Sequence, residues 1–143
     1  RWESAPVRDF VAAAVDELVD VTEARRALIK AFMFRATVDA QMRDDAVRFR
    51  DRAAERIAAV LVGKSPGFTH PEPVLAIDLG VQAAFSLMNQ HVLLDGTQAA
   101  GRSLSIDDLK REIARLFVAY VGIADESPAA RPRRKNVKQK RTA

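Results

Sequence analysis

The chain has 143 residues, a length that suits one domain with a hydrophobic core of its own. It has no cysteine, which excludes disulfides and thiolate metal sites and fits the reducing cytoplasm. The net charge of +4 arises in residues 125–143, which hold seven of the 23 Lys and Arg but only two of the 19 Asp and Glu. The other 16 basic and 17 acidic residues leave the rest of the chain close to neutral.

Apolar residues recur at helical spacing from the N-terminus onward, which predicts an all-α fold. The first helix is expected to start after Ser4 as N-cap, with Pro6 in its first turn. Its predicted apolar face consists of Val7, Phe10, Val11, Ala14, Leu18 and Val21. Thr22 is predicted to cap a second helix, which ends at a short break near Asp39 or, as the alternative, runs on into the third helix. The apolar residues of this second helix are Leu28, Ile29, Phe32, Met33 and Ala36.

A third helix is predicted over residues 40–62, where Gly63 occupies the usual C-terminal position. Its predicted apolar face consists of Met42, Ala46, Phe49, Ala53, Ile57 and Val60. The opposite face carries charges of both signs. Because acids interrupt the bases, this pattern indicates a solvated face rather than a nucleic-acid surface.

The most apolar stretch is 74–94, which predicts a fourth helix entered through prolines at 71 and 73. A narrow polar stripe of Asp78, Gln82, Ser86 and Asn89 interrupts it. These polar groups, and the lack of aromatic or basic flanks, argue against a membrane span. We therefore expect a buried helix shared between the core and an interface.

The last helix follows a loop at 95–102 and starts with the capping-box spacing of Ser105 and Asp108. Its predicted apolar seam consists of Ile106, Leu109, Ile113, Leu116, Phe117 and Tyr120. The pattern stops after Gly122, which predicts a helical domain over residues 1–123 and a disordered basic tail over 124–143. Two roles of the tail stay open: added affinity for DNA phosphates, and solubility.

Residue patterns for catalysis and cofactors are missing. Neither His70 nor His91 has a glutamate three residues before it, so the motif of carboxylate-bridged di-iron bundles is lacking. There is no glycine-rich phosphate loop and no nucleophile elbow. His91 is interpreted as a core or interface histidine. We therefore predict a protein that is not an enzyme and has no metal or other cofactor.

Two segments carry a family resemblance, RRALIKAFMFRATVDAQMRDDAVRFRDRAAERIAAVL before the apolar helix and LSIDDLKREIARLFVAYVGI at the end of the domain. Together they resemble the C-terminal regulatory domain of TetR-family transcriptional regulators, over residues 5–123. The resemblance implies a five-helix bundle that binds a small lipophilic effector and forms a homodimer. The last two long helices of each subunit would build a four-helix bundle with C2 symmetry. The DNA-binding helix-turn-helix of the family is absent from this chain, so operator DNA is a partner of a longer protein only.

Carried onto this sequence, the resemblance gives the last two helices the dimerisation role. The dimer-interface candidates are Leu79, Ala83, Leu87, Ile113, Leu116, Phe117 and Tyr120. The alternative is that these residues close an ordinary monomeric core.

Inward faces of the first four helices provide candidates for an effector pocket, because aromatic and methionine side chains suit an apolar ligand. The apolar candidates are Phe10, Ala14, Leu18, Phe32, Met33, Met42, Phe49, Phe85 and Met88. Gln82, Ser86 and Asn89 are the polar candidates that would orient a ligand. Two alternatives stay open: the apolar set is plain core, and the polar stripe faces solvent or bridges the dimer.

The favoured function is therefore the effector-sensing and dimerisation half of a cytoplasmic TetR-like regulator, a repressor. Because the chain begins with Arg1, we expect it to belong to a longer protein. The alternative is a free-standing helical module that binds small molecules or acts as a scaffold. An enzyme with an unrecognised site is the third possibility.

Overall fold

The computed structural model describes residues 6–64 and 67–123, and its elements confirm the all-α prediction. The five helices are α1 (Val7–Ala24), α2 (Arg26–Ala36), α3 (Ala40–Lys64), α4 (Pro73–Leu93) and α5 (Ile106–Val121). A short antiparallel hairpin of β1 (Gln98–Ala99) and β2 (Arg102–Ser103) lies where a loop was predicted. The predicted cap at Ser4 and the predicted tail lie outside the described residues.

Helix α4 is the central element, since it packs against each of the other four helices. Its buried residues are Ala76, Ile77, Gly80, Val81, Ala84, Met88, His91 and Val92. Helix α5 packs on α4 and on α1, and buries Leu109, Ile113, Phe117 and Val121. The core thus lies between α1, α4 and α5, and α3 closes the other side of α4.

The buried face of α1 overlaps the predicted one only at Val7 and Val11. Its core-facing residues are Val7, Val11, Val15, Val19 and Thr22. The prediction that Thr22 caps α2 is wrong, because α1 continues to Ala24 and the Thr22 hydroxyl donates to the Leu18 carbonyl at 2.6 Å. A threonine can satisfy its hydroxyl in this way inside a helix. The chain instead turns at Arg25, whose φ of −116° is not helical.

The α2–α3 hairpin is less buried than its apolar sequence predicts. Within α2 no residue is buried, and α3 buries only Ala54 and Leu61. The predicted inward position of Phe49 is wrong, since 65% of its surface is exposed. The break near Asp39 is confirmed, and the Asp39 carboxylate accepts a hydrogen bond from the Met42 amide at 3.2 Å.

Both ends of α5 are capped. Ser105 is the N-cap, and its hydroxyl accepts a hydrogen bond from the Asp108 amide at 3.1 Å, as the capping-box spacing predicted. Gly122 ends the helix in the left-handed region with φ of 72°. Its carbonyl accepts a hydrogen bond from the Thr69 amide at 2.9 Å, which ties the segment before α4 to the end of α5.

Replacing Gly122 by alanine is expected to destabilise the fold. A Cβ at this position would lie 2.0 Å from the Thr69 hydroxyl oxygen and 3.1 Å from the His70 backbone nitrogen. Left-handed backbone and steric crowding together cost about 1–3 kcal/mol. Urea unfolding measures the effect. Gly63→Ala is the matched control, since no atom lies within 4 Å of its added Cβ; equal stability of the two variants would contradict the prediction.

A polar cluster fixes the junction of α1 and α2 to the end of α4. His91 is 4% exposed, and its Nδ1 lies 2.8 Å from the Thr97 hydroxyl oxygen. The His91 carbonyl accepts a hydrogen bond from the Arg26 guanidinium at 3.0 Å. The ammonium of Lys30 donates to the Asp95 carboxylate at 2.9 Å. His91 is therefore a core histidine within a hydrogen-bonded cluster.

The Lys30–Asp95 contact makes a pH-dependent contribution to stability. The hydrogen bond from Lys30 lowers the pKa of the Asp95 carboxyl below its ordinary value of 3.8, assisted by the positive charges of Lys30 and Arg26. A carboxyl with a lowered pKa in the folded state stabilises the fold above its ordinary pKa, and this contribution is lost as the pH falls through the folded value. Asp95→Asn should therefore lower the melting temperature near neutral pH, and the deficit should shrink at a pH below 3.8. Asp44→Asn, at an exposed acid of α3, is the control; a deficit that does not change with pH would contradict the assignment.

Candidate functional site

An apolar groove lies on the outer surface of α4 and α5, and we call it the outer groove. Its volume is about 360 Å³. The lining residues are Leu79, Gly80, Ala83, Ala84 and Leu87 of α4 with Ile113, Leu116, Phe117 and Tyr120 of α5. All seven dimer-interface candidates thus lie around one concave surface, together with two small residues that the sequence interpretation missed.

The outer groove exposes large apolar side chains to solvent. Leu79 is 41% exposed, Leu116 58% and Tyr120 45%. Ile113 and Phe117 form its buried base, at 2% and 7%. Its lining includes no charged residue. A contiguous apolar surface of this kind is typical of sites where another molecule binds.

Gly80 determines how closely α4 and α5 approach beneath the groove. A Cβ at Gly80 would lie 2.8 Å from Cδ2 and 2.9 Å from Cε2 of Phe117. The absent side chain therefore leaves the space in which the Phe117 ring packs. The neighbouring Ala83 and Ala84 also have short side chains. Because these extend little beyond the α4 backbone, a concave surface remains between the two helices.

Polar residues border the outer groove on α5. The exposed residues Glu112, one turn before Leu116, and Arg115, directly before it, form an ion pair at 2.7 Å. At the other end, the Tyr120 ring lies 5.5 Å from the His70 ring, centroid to centroid. An apolar centre with a polar border is the usual arrangement of a protein interface.

A second apolar space lies between α1, α3, α4 and α5 and opens to solvent beside Glu17; we call it the inner cavity. Its volume is about 220 Å³. The lining residues are Phe10, Val11, Ala14, Val15, Glu17, Leu18, Ala53, Ile57, Val81, Ala84, Phe85 and Phe117. Four of the effector-pocket candidates, Phe10, Ala14, Leu18 and Phe85, are therefore together in its wall.

The other apolar pocket candidates lie elsewhere. Phe49 is outside the cavity lining, although its ring packs edge-on against Phe85 at a centroid distance of 6.2 Å. Met88 is 1% exposed and belongs to the core. The half-buried residues Phe32, Met33 and Met42 lie on α2 and the start of α3, away from the cavity.

The polar stripe of α4 lines neither the outer groove nor the inner cavity. The Gln82 amide donates to the Asp78 carboxylate at 2.9 Å, so these two side chains partner each other. Ser86 and Asn89 are exposed. The stripe thus lies on the solvent side of α4, which removes Gln82, Ser86 and Asn89 from the inner cavity.

Glu17 is the one charged side chain among the residues that line the inner cavity. It was not predicted, because a charged residue on an amphipathic helix is normally assigned to the solvent face. Its position in the sequence could have predicted that it lines the cavity. Glu17 lies seven residues after Phe10 and three after Ala14, which places it on the same side of α1 as both. Glu17 is exposed and forms no ion pair with another described residue, whereas Asp16 and Asp20 both contact Lys110.

Phe117 and Ala84 line both spaces. The Phe117 ring therefore separates the outer groove from the inner cavity at the contact of α4 and α5. Because the same side chain contributes to both surfaces, a change in its position on one side alters the shape of the other.

No protein-family model, curated protein or solved structure matches this chain. Across residues 6–64 and 67–123, no three His, Asp or Glu side chains are grouped so that they could hold a metal ion. In the same part of the chain, none of the helices combines the length and apolarity that crossing a membrane requires.

Proposed function

We propose that this chain is the effector-sensing and dimerisation domain of a TetR-like transcriptional regulator, a repressor whose DNA-binding helix-turn-helix belongs to a longer protein. The observation that carries the proposal is the pair of apolar sites on α4. The outer groove is on one side of this helix and the inner cavity is on another, with Phe117 between them. A sensor that responds to a ligand through its dimer geometry needs both kinds of site.

The outer groove is the proposed dimer contact. Leu79, Leu116 and Tyr120 are large apolar residues that a second copy would cover. Two antiparallel α4–α5 pairs related by a twofold axis would form a four-helix bundle in which each copy presents the same surface. Glu112 and Arg115 lie beside the groove residues of α5 in each copy, so charges of both signs would border this contact, and complementary charges at a border favour one register.

The inner cavity is the proposed effector site. Its walls come from four helices, so a ligand that fills it contacts most of the bundle at once. Binding would favour the arrangement of helices that fits the ligand better, and the population of the two arrangements would shift accordingly. Since Phe117 and Ala84 belong to both sites, that shift would reach the dimer contact.

The test of this function has three parts. Light scattering on the chain at micromolar concentration should give the mass of a dimer. Compounds with a small apolar body should raise the melting temperature, as ligands of the folded state do. The coding sequence upstream of Arg1 should encode a helix-turn-helix. A monomer that no such compound stabilises would overturn the proposal, and a ligand-binding dimer with no upstream helix-turn-helix would establish the free-standing module instead.

A further inference from the structure

We propose that the inner cavity takes an organic cation, an amine or quaternary ammonium on a small apolar body, with the Glu17 carboxylate beside its charged end. This inference rests on the proposed sensing function and names the chemical class of the effector. It follows from the chemistry of the cavity wall, from the charges around it and from its size.

Aromatic rings form much of the wall. Phe10 and Phe85 are half-buried at the sides, and Phe117 is buried at 7% exposure. Phe49 extends this aromatic surface beyond Phe85. The face of an aromatic ring carries negative potential and attracts a cation within about 6 Å of its centroid. Rings of this kind bind the apolar body of a ligand and also favour positive charge on it.

The fixed charges favour the same sign. Helix α1 carries the acids Asp9, Asp16, Glu17, Asp20 and Glu23 against one base, Arg8. Asp16 and Asp20 contact Lys110, and Glu23 contacts Arg26. The Glu17 carboxylate therefore remains at the cavity as a negative charge that no described residue pairs.

An anionic ligand would lack a partner in the same place. No Lys or Arg lines the inner cavity. Arg50 lies one turn from Ala53 on α3, but its guanidinium donates to the Asp51 carboxylate at 2.8 Å. A carboxylate ligand would meet the carboxylate of Glu17, and like charges repel each other.

The volume limits the apolar body. A dry apolar cavity of about 150 Å³ binds benzene. The inner cavity, at about 220 Å³, therefore has room for one ring and a short alkyl chain. Since Glu17 is exposed, the charged end of the ligand would stay at the opening and keep part of its hydration.

The test uses three probes with one apolar body and different ends: phenylbutylamine, phenylbutanol and phenylbutyrate. Calorimetry at neutral pH should show that the wild-type chain binds the amine about three- to fivefold more tightly than the alcohol, and the carboxylate most weakly. Glu17→Gln should remove the preference for the amine and leave binding of the alcohol unchanged. Glu55→Gln, at an exposed acid of α3 outside the cavity lining, should keep the preference. Ala14→Leu fills the cavity and should weaken binding of all three probes.

Each outcome has one meaning. Equal binding of alcohol and amine overturns the cationic class and leaves the sensing function in place. Preference for phenylbutyrate overturns it in favour of an acid. An amine preference that survives Glu17→Gln, or binding that survives Ala14→Leu in a folded protein, removes the ligand from this site. No binding of any probe at millimolar concentration overturns the inference, and together with the lack of any stabilising apolar compound it overturns the sensing function.

Discussion

Leu116→Glu is expected to convert the proposed dimer into a monomer. Leu116 is 58% exposed and lines the outer groove, between Ile113 and Tyr120 in the sequence of α5. In a twofold dimer each substitution occurs twice, so two carboxylates would enter an apolar contact, and Arg115 at its border is already paired with Glu112. An unpaired charge in such a place costs several kcal/mol, so the dimer dissociation constant should rise by at least about 100-fold.

The fold of the monomer should survive this change, because Leu116 is not part of the buried core. Light scattering and analytical ultracentrifugation measure the mass, and circular dichroism shows that the helices remain. Leu28→Glu is the matched control: this leucine of α2 is also exposed, at 68%, and lies away from the groove. If both variants remain dimers, or if the wild-type chain is a monomer, the outer groove does not hold a second copy.

The position of the groove residues could be predicted from helical spacing and family resemblance, but their exposure could not. Ile113, Phe117 and Leu116 occupy one apolar seam of α5, and spacing alone treats them alike. Helix α5 packs against α4 and α1, and this packing covers Ile113 and Phe117 but leaves Leu116 in solvent. Whether an apolar residue is buried depends on the neighbouring helices, and the residue pattern of one helix does not show where its neighbours lie.

The inner cavity was only partly predictable for the same reason. Helix α1 has two adjacent apolar rows, one containing Val11 and Val15 and one containing Phe10 and Ala14. The first row is buried in the core and the second is half-buried at its edge, and both rows line the inner cavity. The predicted face joined members of both rows, because a turn of 3.6 residues places the rows next to each other.

The β1–β2 hairpin was not predicted from the sequence, because its turn contains residues that are uncommon in such turns. Ala100 and Gly101 both have positive φ, at 51° and 73°, which fits the tight turn of a two-residue hairpin. Such turns prefer Asn-Gly or Asp-Gly, and alanine at positive φ is uncommon. The residue pattern therefore predicts a loop where the backbone forms two strand pairs, Gln98 with Ser103 and Ala99 with Arg102.

Phe117→Ala is expected to cause the largest loss of stability. The ring is 7% exposed, packs into the space left by Gly80, and separates the outer groove from the inner cavity. Truncating a buried phenylalanine to alanine costs about 3–5 kcal/mol, from lost burial and from the space left behind. Here the space would connect the outer groove with the inner cavity. Water would enter it and reduce the penalty for an empty volume, which favours the lower end of this range of energies. We therefore expect about 3 kcal/mol.

Stability is measured by urea unfolding of chains that also carry Leu116→Glu. Because these chains are expected to be monomers, the urea midpoint should not depend on protein concentration. In this background the change reports the core contact of Phe117 and not the dimer contact. Phe34→Ala is the control, since Phe34 is 59% exposed on α2 and should change stability little. A comparable loss for the two variants would contradict the role of Phe117. A large loss for Phe117→Ala alone would show that one ring supports the contact of α4 and α5 on which both apolar sites depend.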